Sequence, residues 1–222
     1  MHSTTQRICP LVAWSRVGAI ILMLVPITPA WAFVTQTPTQ SVRSTIEDVI
    51  RILTNEQLKQ PERVTERRQE IERVVRERVS YEDMAKQTLG AQWLSLEASE
   101  QQEFVDLFVQ LLRDSFASKI DAYADEHILY LSEEQNDRFA EVRTKLSGRK
   151  TDTLVDFRMI DEDGMWLVYD VVIDGASIVH NYRAQFASIM RDASYSRLVE
   201  RMREKTFVVK RFETHSAPAP AL

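Results

Sequence analysis

The sequence predicts an α+β domain: helices first, then a mainly antiparallel sheet of about four strands, then helices again. Two observations predict it. Apolar residues recur at helical spacing from Val42 to Ala124, alternate from Arg138 to Ile173, and return to helical spacing after Gly175. Between Pro61 and Pro218 there is no proline, so regular elements can run long.

The first 32 residues are read as a leader to be removed. Arg7 and Arg16 precede the apolar run "VGAIILMLVPITPAWA", Val17 to Ala32, which closes on Ala30-Trp31-Ala32. A basic start, a short apolar stretch and an A-x-A end make a secretory signal peptide. The run is short of the about 20 apolar residues of a membrane helix and is interrupted by proline. Cys9, the only cysteine, goes with it, so the exported remainder has no disulfide, thiol nucleophile or thiolate metal site. The chain is acidic, with a formal net charge of −5, and losing Arg7 and Arg16 makes it more so. That sign gives no footprint for nucleic acid. Export and a cysteine-free body point to the periplasm.

Residues 33–40 read as a flexible Pro/Thr/Gln leader, 41–206 as one domain, and 207–222, ending in "APAPAL", as a flexible tail. The first helix carries the stripe Val42, Ile46, Val49, Ile50, Leu53. After Pro61 a second carries Val64, Ile71, Val74 and Val75, opposite a solvated face of Glu62, Arg63, Glu66, Arg67, Arg68, Glu72 and Arg76. Ser80 with Asp83 reads as a capping box for a short helix bearing Met84, Ala85 and Leu89, stopped by Gly90. The longest helix runs from Glu97 to Ala124 with Phe104, Phe108, Leu111, Leu112, Phe116, Ile120 and Tyr123 on a wide aromatic stripe.

"RFAEVRTKL" alternates, placing Ala140, Val142, Thr144 and Leu146 on one side. "TLVDFRMI" and "MWLVYDVVI" flank "DEDG" and form a hairpin, with a positive φ expected at Gly164. The second arm is apolar on both faces: Met165, Leu167, Tyr169, Val171, Ile173 on one and Trp166, Val168, Val172 on the other, as in a strand covered twice. Ser177 then opens a helix with Ile178, Val179, Tyr182, Phe186, Ile189 and Met190, and a last helix carries Tyr195, Leu198, Val199 and Met202.

Enzyme chemistry finds little support. "DEDG" lacks the Gly and Glu positions of a calcium loop. His127, His180 and His215 are scattered without metal-ligand spacing, so no metal is expected. Ser177 and His180 share a helix face, but the G-x-S-x-G elbow of a hydrolase is absent. An exported lipid esterase using that pair, and a periplasmic interaction protein with a solid core, remain the alternatives. An apolar excess of this kind can fill a core or line a cavity, and periodicity does not distinguish the two.

Four stretches in order, "YEDMAKQTLGAQW", "QQEFVDLFVQLL", "DGMWLVYDVVIDGASIVHNYRAQF" and "SRLVERMREK", resemble the MlaC (toluene-tolerance) family of periplasmic phospholipid carriers, over Val42 to Lys205. The specific part is Trp166, Val168 to Val171, Gly175, Ser177, Val179, Asn181 to Arg183, Gln185 and Phe186, with Ala176 where the family often has a branched aliphatic. The resemblance implies helices wrapped around a curved sheet that encloses an apolar pocket, with bound phospholipid as cargo and no cofactor. It implies a monomer that travels between an outer-membrane lipoprotein–porin complex and an inner-membrane ABC transporter complex of the Mla type, maintaining outer-membrane lipid asymmetry. By residue type and phase, Phe104, Phe108, Leu111, Phe116, Val142, Val155, Phe157, Leu167, Tyr169, Val171, Tyr182 and Phe186 are expected to line that pocket. Asp170, Ser177, Asn181 and Arg183 are expected to clamp helix to sheet, with Arg183 pairing with Asp170.

Overall fold

A computed structural model of the chain describes residues 36–120, 127–147 and 152–204. The stretches read as a signal peptide, 1–32, and as a tail, 207–222, lie outside the described residues, as do Tyr123, Ala124 and the side chains of Phe116 and Ile120.

Helix α1 spans Pro38–Thr54. It begins inside the stretch read as a flexible leader, because Thr37 and Gln40 form a capping box. The Thr37 hydroxyl accepts from the Gln40 N–H at 3.2 Å and the Gln40 side-chain Oε1 from the Thr37 N–H at 3.0 Å. Pro38 at the first helical position completes the start. Helix α2 (Val64–Arg76) buries Ile71 and Val74 and ties its outer face with Arg63–Glu66, Arg73–Glu70 and Arg76–Glu72 pairs at 2.7–3.1 Å.

Helix α3 (Tyr81–Leu89) corrects the expected capping box, since Ser80 makes no side-chain bond to the helix backbone. Its hydroxyl instead lies 3.0 Å from Asp83 Oδ2 and 3.2 Å from Glu162 Oε1. The Ser80 backbone is held elsewhere: its N–H donates to Val168 O and the Val168 N–H to Arg78 O, both at 2.9 Å. The α2–α3 connection is thereby stitched to the sheet. Gly90 ends α3 at φ 59°, a conformation that costs a side chain strain, and a 3₁₀ turn, Gly90–Ser95, buries Trp93 before α4 (Ala98–Ile120).

The sheet has strand order β1-β2-β3-β4-β5, every pair antiparallel. Its strands are β1 (His127–Asn136), β2 (Phe139–Ser147), β3 (Asp152–Glu162), β4 (Met165–Ile173) and the two-residue β5 (Ala176–Ser177). Four are long, the number expected. Strand β1 is an edge strand whose second half, "SEEQN", is exposed throughout, so no alternation marks it in the sequence. The β3–β4 turn has Asp163 at φ 53° and Gly164 at φ 84°, the pair of positive angles a tight two-residue hairpin loop requires.

A β-bulge decides which face each β4 residue occupies. Arg158 pairs with Asp170 but Met159 pairs with Val168, leaving Tyr169 without a partner. Alternation therefore slips by one. Val171 and Ile173, opposite Phe157 and Val155, share the face of Val168 and Trp166, opposite Met159 and Asp161. Leu167, opposite Ile160, lies on the other face. The sequence-based division of β4 into two unbroken alternating sets is corrected accordingly.

The inner face of the sheet carries Ala140, Val142, Met159, Trp166 and Val168, packed against Val42 and Ile46 of α1. A second cluster joins α3, α4, α5 (Ile178–Asp192) and α6 (Tyr195–Arg203) through Met84, Leu89, Phe104, Phe108, Tyr182, Phe186 and Leu198. Val79 and Val171 touch both clusters. Among the described residues no helix is long and apolar enough to cross a membrane.

Candidate functional site

Two structures meet at the junction of these clusters: an ionic anchor for α5 and an incompletely covered apolar floor. The anchor is Asp170, 2% exposed. Its Oδ1 accepts from the Val179 N–H at 3.1 Å, and its Oδ2 from the Ser177 hydroxyl at 2.6 Å and Arg158 at 3.1 Å. A carboxylate at the start of a helix also meets the positive end of the helix dipole. Ser177 is the N-cap of α5, accepting from the His180 N–H at 2.9 Å. Its proximity to His180 thus runs through the histidine backbone, and the hydroxyl proton is directed to Asp170.

The structure brings Asp170 and Ser177, two of the residues expected in the clamp, together at the start of α5, and does not join Asn181 or Arg183 to them. Arg158 takes the place assigned to Arg183 because it sits directly opposite Asp170 in the register. Arg183 points away, exposed, with its guanidinium packed over Gly90. Asn181 accepts from Gln185 within α5 at 3.1 Å.

From Arg158 the ion pairs continue across the outer sheet face. Arg158 pairs with Glu141 at 3.4 Å, Glu141 with Arg143 at 2.8 Å, and Arg143 with Glu134 at 3.8 Å. Partial burial works against the charge of Glu141, but hydrogen bonds from Arg143 and Arg158 hold its carboxyl below the usual range. The ladder reaches from the edge strand β1 to the first turn of α5.

The residues expected to line a pocket fall into three groups. Phe104, Phe108, Tyr182 and Phe186 are fully buried and form one aromatic knot, with ring centroids 5.5–6.2 Å apart. The Tyr182 hydroxyl is 3.1 Å from Ser115 Oγ, and burial pushes that phenol up against the opposing effect of this hydrogen bond. Val142 and Val155 are buried on the inner sheet face, beside Phe157 and Val171, which with Leu111 are only half-buried.

Leu167 and Tyr169 are not brought to this place. They lie with Phe139 on the outer face, where the Phe139 and Tyr169 rings meet edge to face at 6.0 Å. Ile173 belongs to the inner face, half-buried next to Val155, and was not selected. The sequence places it in the same alternating set as Val171, and the pairing keeps the two on one face.

The inner face is thus covered unevenly. Val142, Val155, Met159 and Val168 are buried, yet Phe157, Val171 and Ile173 among them retain exposure, as does Leu111 on α4. Apolar surface left exposed to water costs about 25 cal/mol per Å². Protein interiors normally fill such space. A floor of this kind suits an apolar ligand that completes the packing.

The MlaC protein family matches residues 43–204. No curated protein matches the sequence. Among solved structures, the phospholipid-binding protein from Ralstonia solanacearum, in complex with a phospholipid, is similar with a TM-score of 0.68 at 20% identity. The match covers 77% of this chain and 97% of that one.

Proposed function

Because the chain belongs to the MlaC family, we propose that it is a periplasmic phospholipid carrier. It moves lipid between outer and inner membranes as the soluble part of an Mla-type ABC transport system and so maintains outer-membrane asymmetry. The observation that supports the reading is that Leu111, Phe157, Val171 and Ile173, apolar residues packed against the two clusters, are only half-buried. That the structurally similar Ralstonia protein holds a phospholipid supports it.

The physical need for a carrier is large. Each CH₂ kept from water is worth about 0.8 kcal/mol, so two acyl chains resist leaving a bilayer by roughly 20 kcal/mol or more. A protein that offers acyl chains an apolar floor replaces most of that environment. Transfer then needs docking, with no bond made or broken. In this reading the acyl tails lie on Phe157, Val171 and Ile173, with Val142 and Val155 beneath. Leu111 stands opposite, and the aromatic knot of Phe104, Phe108, Tyr182 and Phe186 is the wall that stops them. The docking partners are an outer-membrane lipoprotein–porin complex and an inner-membrane ABC transporter complex.

The test is native mass spectrometry with lipid extraction of gently purified protein. Wild type is expected to carry phospholipid, and Leu111→Trp, which fills the space above the floor, to lose most of it with an unchanged circular dichroism spectrum. Phospholipid-free wild type, or full loading in a folded Leu111→Trp variant, would defeat the assignment.

A further inference from the structure

Beside the half-buried Leu111 sits a pair of hydroxyls. Ser115 lies one helical turn beyond Leu111 on α4 and on the same side of the helix. Its hydroxyl donates to Leu111 O at 2.7 Å and lies 3.1 Å from the Tyr182 hydroxyl on α5. A serine has one proton to give, and here it points to the carbonyl, so the phenol is the donor in the second contact. The bonds therefore run in one direction, from Tyr182 to Ser115 and from Ser115 to Leu111 O. A hydroxyl that accepts one bond donates the next more strongly.

The last link of this chain is easily released. Within the helix, Leu111 O has the Ser115 backbone N–H as its ordinary partner, so losing the hydroxyl leaves no polar group bare. Ser115 is also only half-buried. Thr88 and Thr144 close on backbone carbonyls at the same 2.7 Å, but at 1% and 0% exposure they are shut away from any ligand.

The order of residues along α4 gives the pair its meaning. Phe104, Phe108, Leu111 and Ser115 follow i, i+4, i+7, i+11 spacing and share one stripe. At 1.5 Å per residue, Ser115 stands about 6 Å from Leu111, about 10 Å from Phe108 and about 16 Å from Phe104 along the axis. A polar group opens this line, a half-buried leucine follows, and the packed rings of Phe104, Phe108 and Phe186 close it. An ester-linked acyl chain has the same order, a carbonyl and then hydrocarbon.

We propose that Ser115 is the contact for the ester carbonyl of a bound acyl chain, with Tyr182 as the positioning residue that holds its hydroxyl from behind. On binding, the Ser115 proton turns from Leu111 O to the ester oxygen, and the tail runs past Leu111 to the rings. This rests on the carrier reading and deepens it, because it makes the protein select ester-linked over ether-linked lipids. An ether oxygen in that place is a poorer acceptor than a carbonyl.

The experiment loads purified, lipid-stripped protein from vesicles holding equal parts of an ester-linked phosphatidylglycerol and its diether analogue, alike in headgroup and chain length. Bound lipid is extracted and counted by mass spectrometry, with circular dichroism to confirm the fold of each variant. Wild type is expected to take the ester about fivefold over the ether, the worth of one neutral hydrogen bond. Ser115→Ala should take both alike, and Ser115→Thr, which keeps the hydroxyl, should keep the preference. Tyr182→Phe should bind as much lipid in total while its preference falls to about twofold. Equal uptake of both lipids by wild type, or a wild-type preference in Ser115→Ala or Tyr182→Phe, would overturn the proposal and leave the carrier reading standing. Wild type that takes neither lipid would overturn both.

Discussion

Asp170 lies at the crossing of a strand, a helix start and an ion-pair ladder, which makes its side chain more than a surface partner. Its oxygens serve Arg158, Ser177 and the Val179 N–H in an almost water-free position. Asp170→Ala removes three bonds to a charged acceptor and strands a buried N–H, so a loss of about 2–4 kcal/mol is expected in urea unfolding. Ser177→Ala, which loses the cap alone, should cost about 1 kcal/mol. Equal losses would show that the anchor is the cap and not the carboxylate. Glu162 makes a second, pH-dependent tie. Burial, then the neighbouring Asp83 carboxyl, raises its pKa. A carboxyl raised in the folded state stabilises when protonated and loses that contribution as pH climbs through its folded value. Glu162→Gln is therefore expected to melt higher than wild type at neutral pH. The gap should close as pH falls below about 4, as differential scanning calorimetry across pH would record.

At the scale of elements, the helices were legible because one stripe against one core leaves its period in the chain. Val42, Ile71, Met84, Phe104, Phe108, Tyr182, Phe186 and Leu198 are all buried where the spacing put them. The start of α1 was missed because composition reads "TPTQ" as a linker, while the Thr37–Gln40 box turns it into a helix start. The Ser80 box failed for the opposite reason: the residues are right for a cap, but the hydroxyl is turned toward Asp83 and Glu162. Strand β4 shows the deepest limit. Its residues alternate without interruption in the sequence, and the one-residue slip at Tyr169 exists only in its pairing with β3. Half the strand changes sides as a result. The same slip moves Leu167 and Tyr169 off the candidate floor, while Val171 and Ile173 stay on it.

For the whole molecule, the open apolar area carries an energetic consequence. A ligand bound only by the folded state stabilises it by RT ln(1 + [L]/Kd), about 2.7 kcal/mol at a hundredfold excess over Kd. Protein stripped of lipid by detergent exchange is expected to melt several degrees lower than protein carrying phospholipid, and to recover on reloading from vesicles. Identical melting of the two forms would mean that the floor is not completed by cargo. The loss in Leu111→Trp should behave differently, because a side chain that fills the space replaces the missing contacts. That variant is expected to be free of lipid and yet no less stable than stripped wild type.

What the chain by itself determined is the order of helices and strands, the tight β3–β4 hairpin and the aromatic stripe of α4, since each leaves a local period or turn residue behind. The motif around Trp166 and Tyr182 also identified the family, which the match over residues 43–204 shows. The tertiary structure alone decided which cation meets Asp170, which face holds Val171 and Ile173, and where apolar surface stays open. These depend on partners distant in sequence and on a bulge that a register, not a propensity, creates. Local chemistry fixes what each segment becomes. Pairing fixes what it faces, and the candidate site is defined by what its residues face.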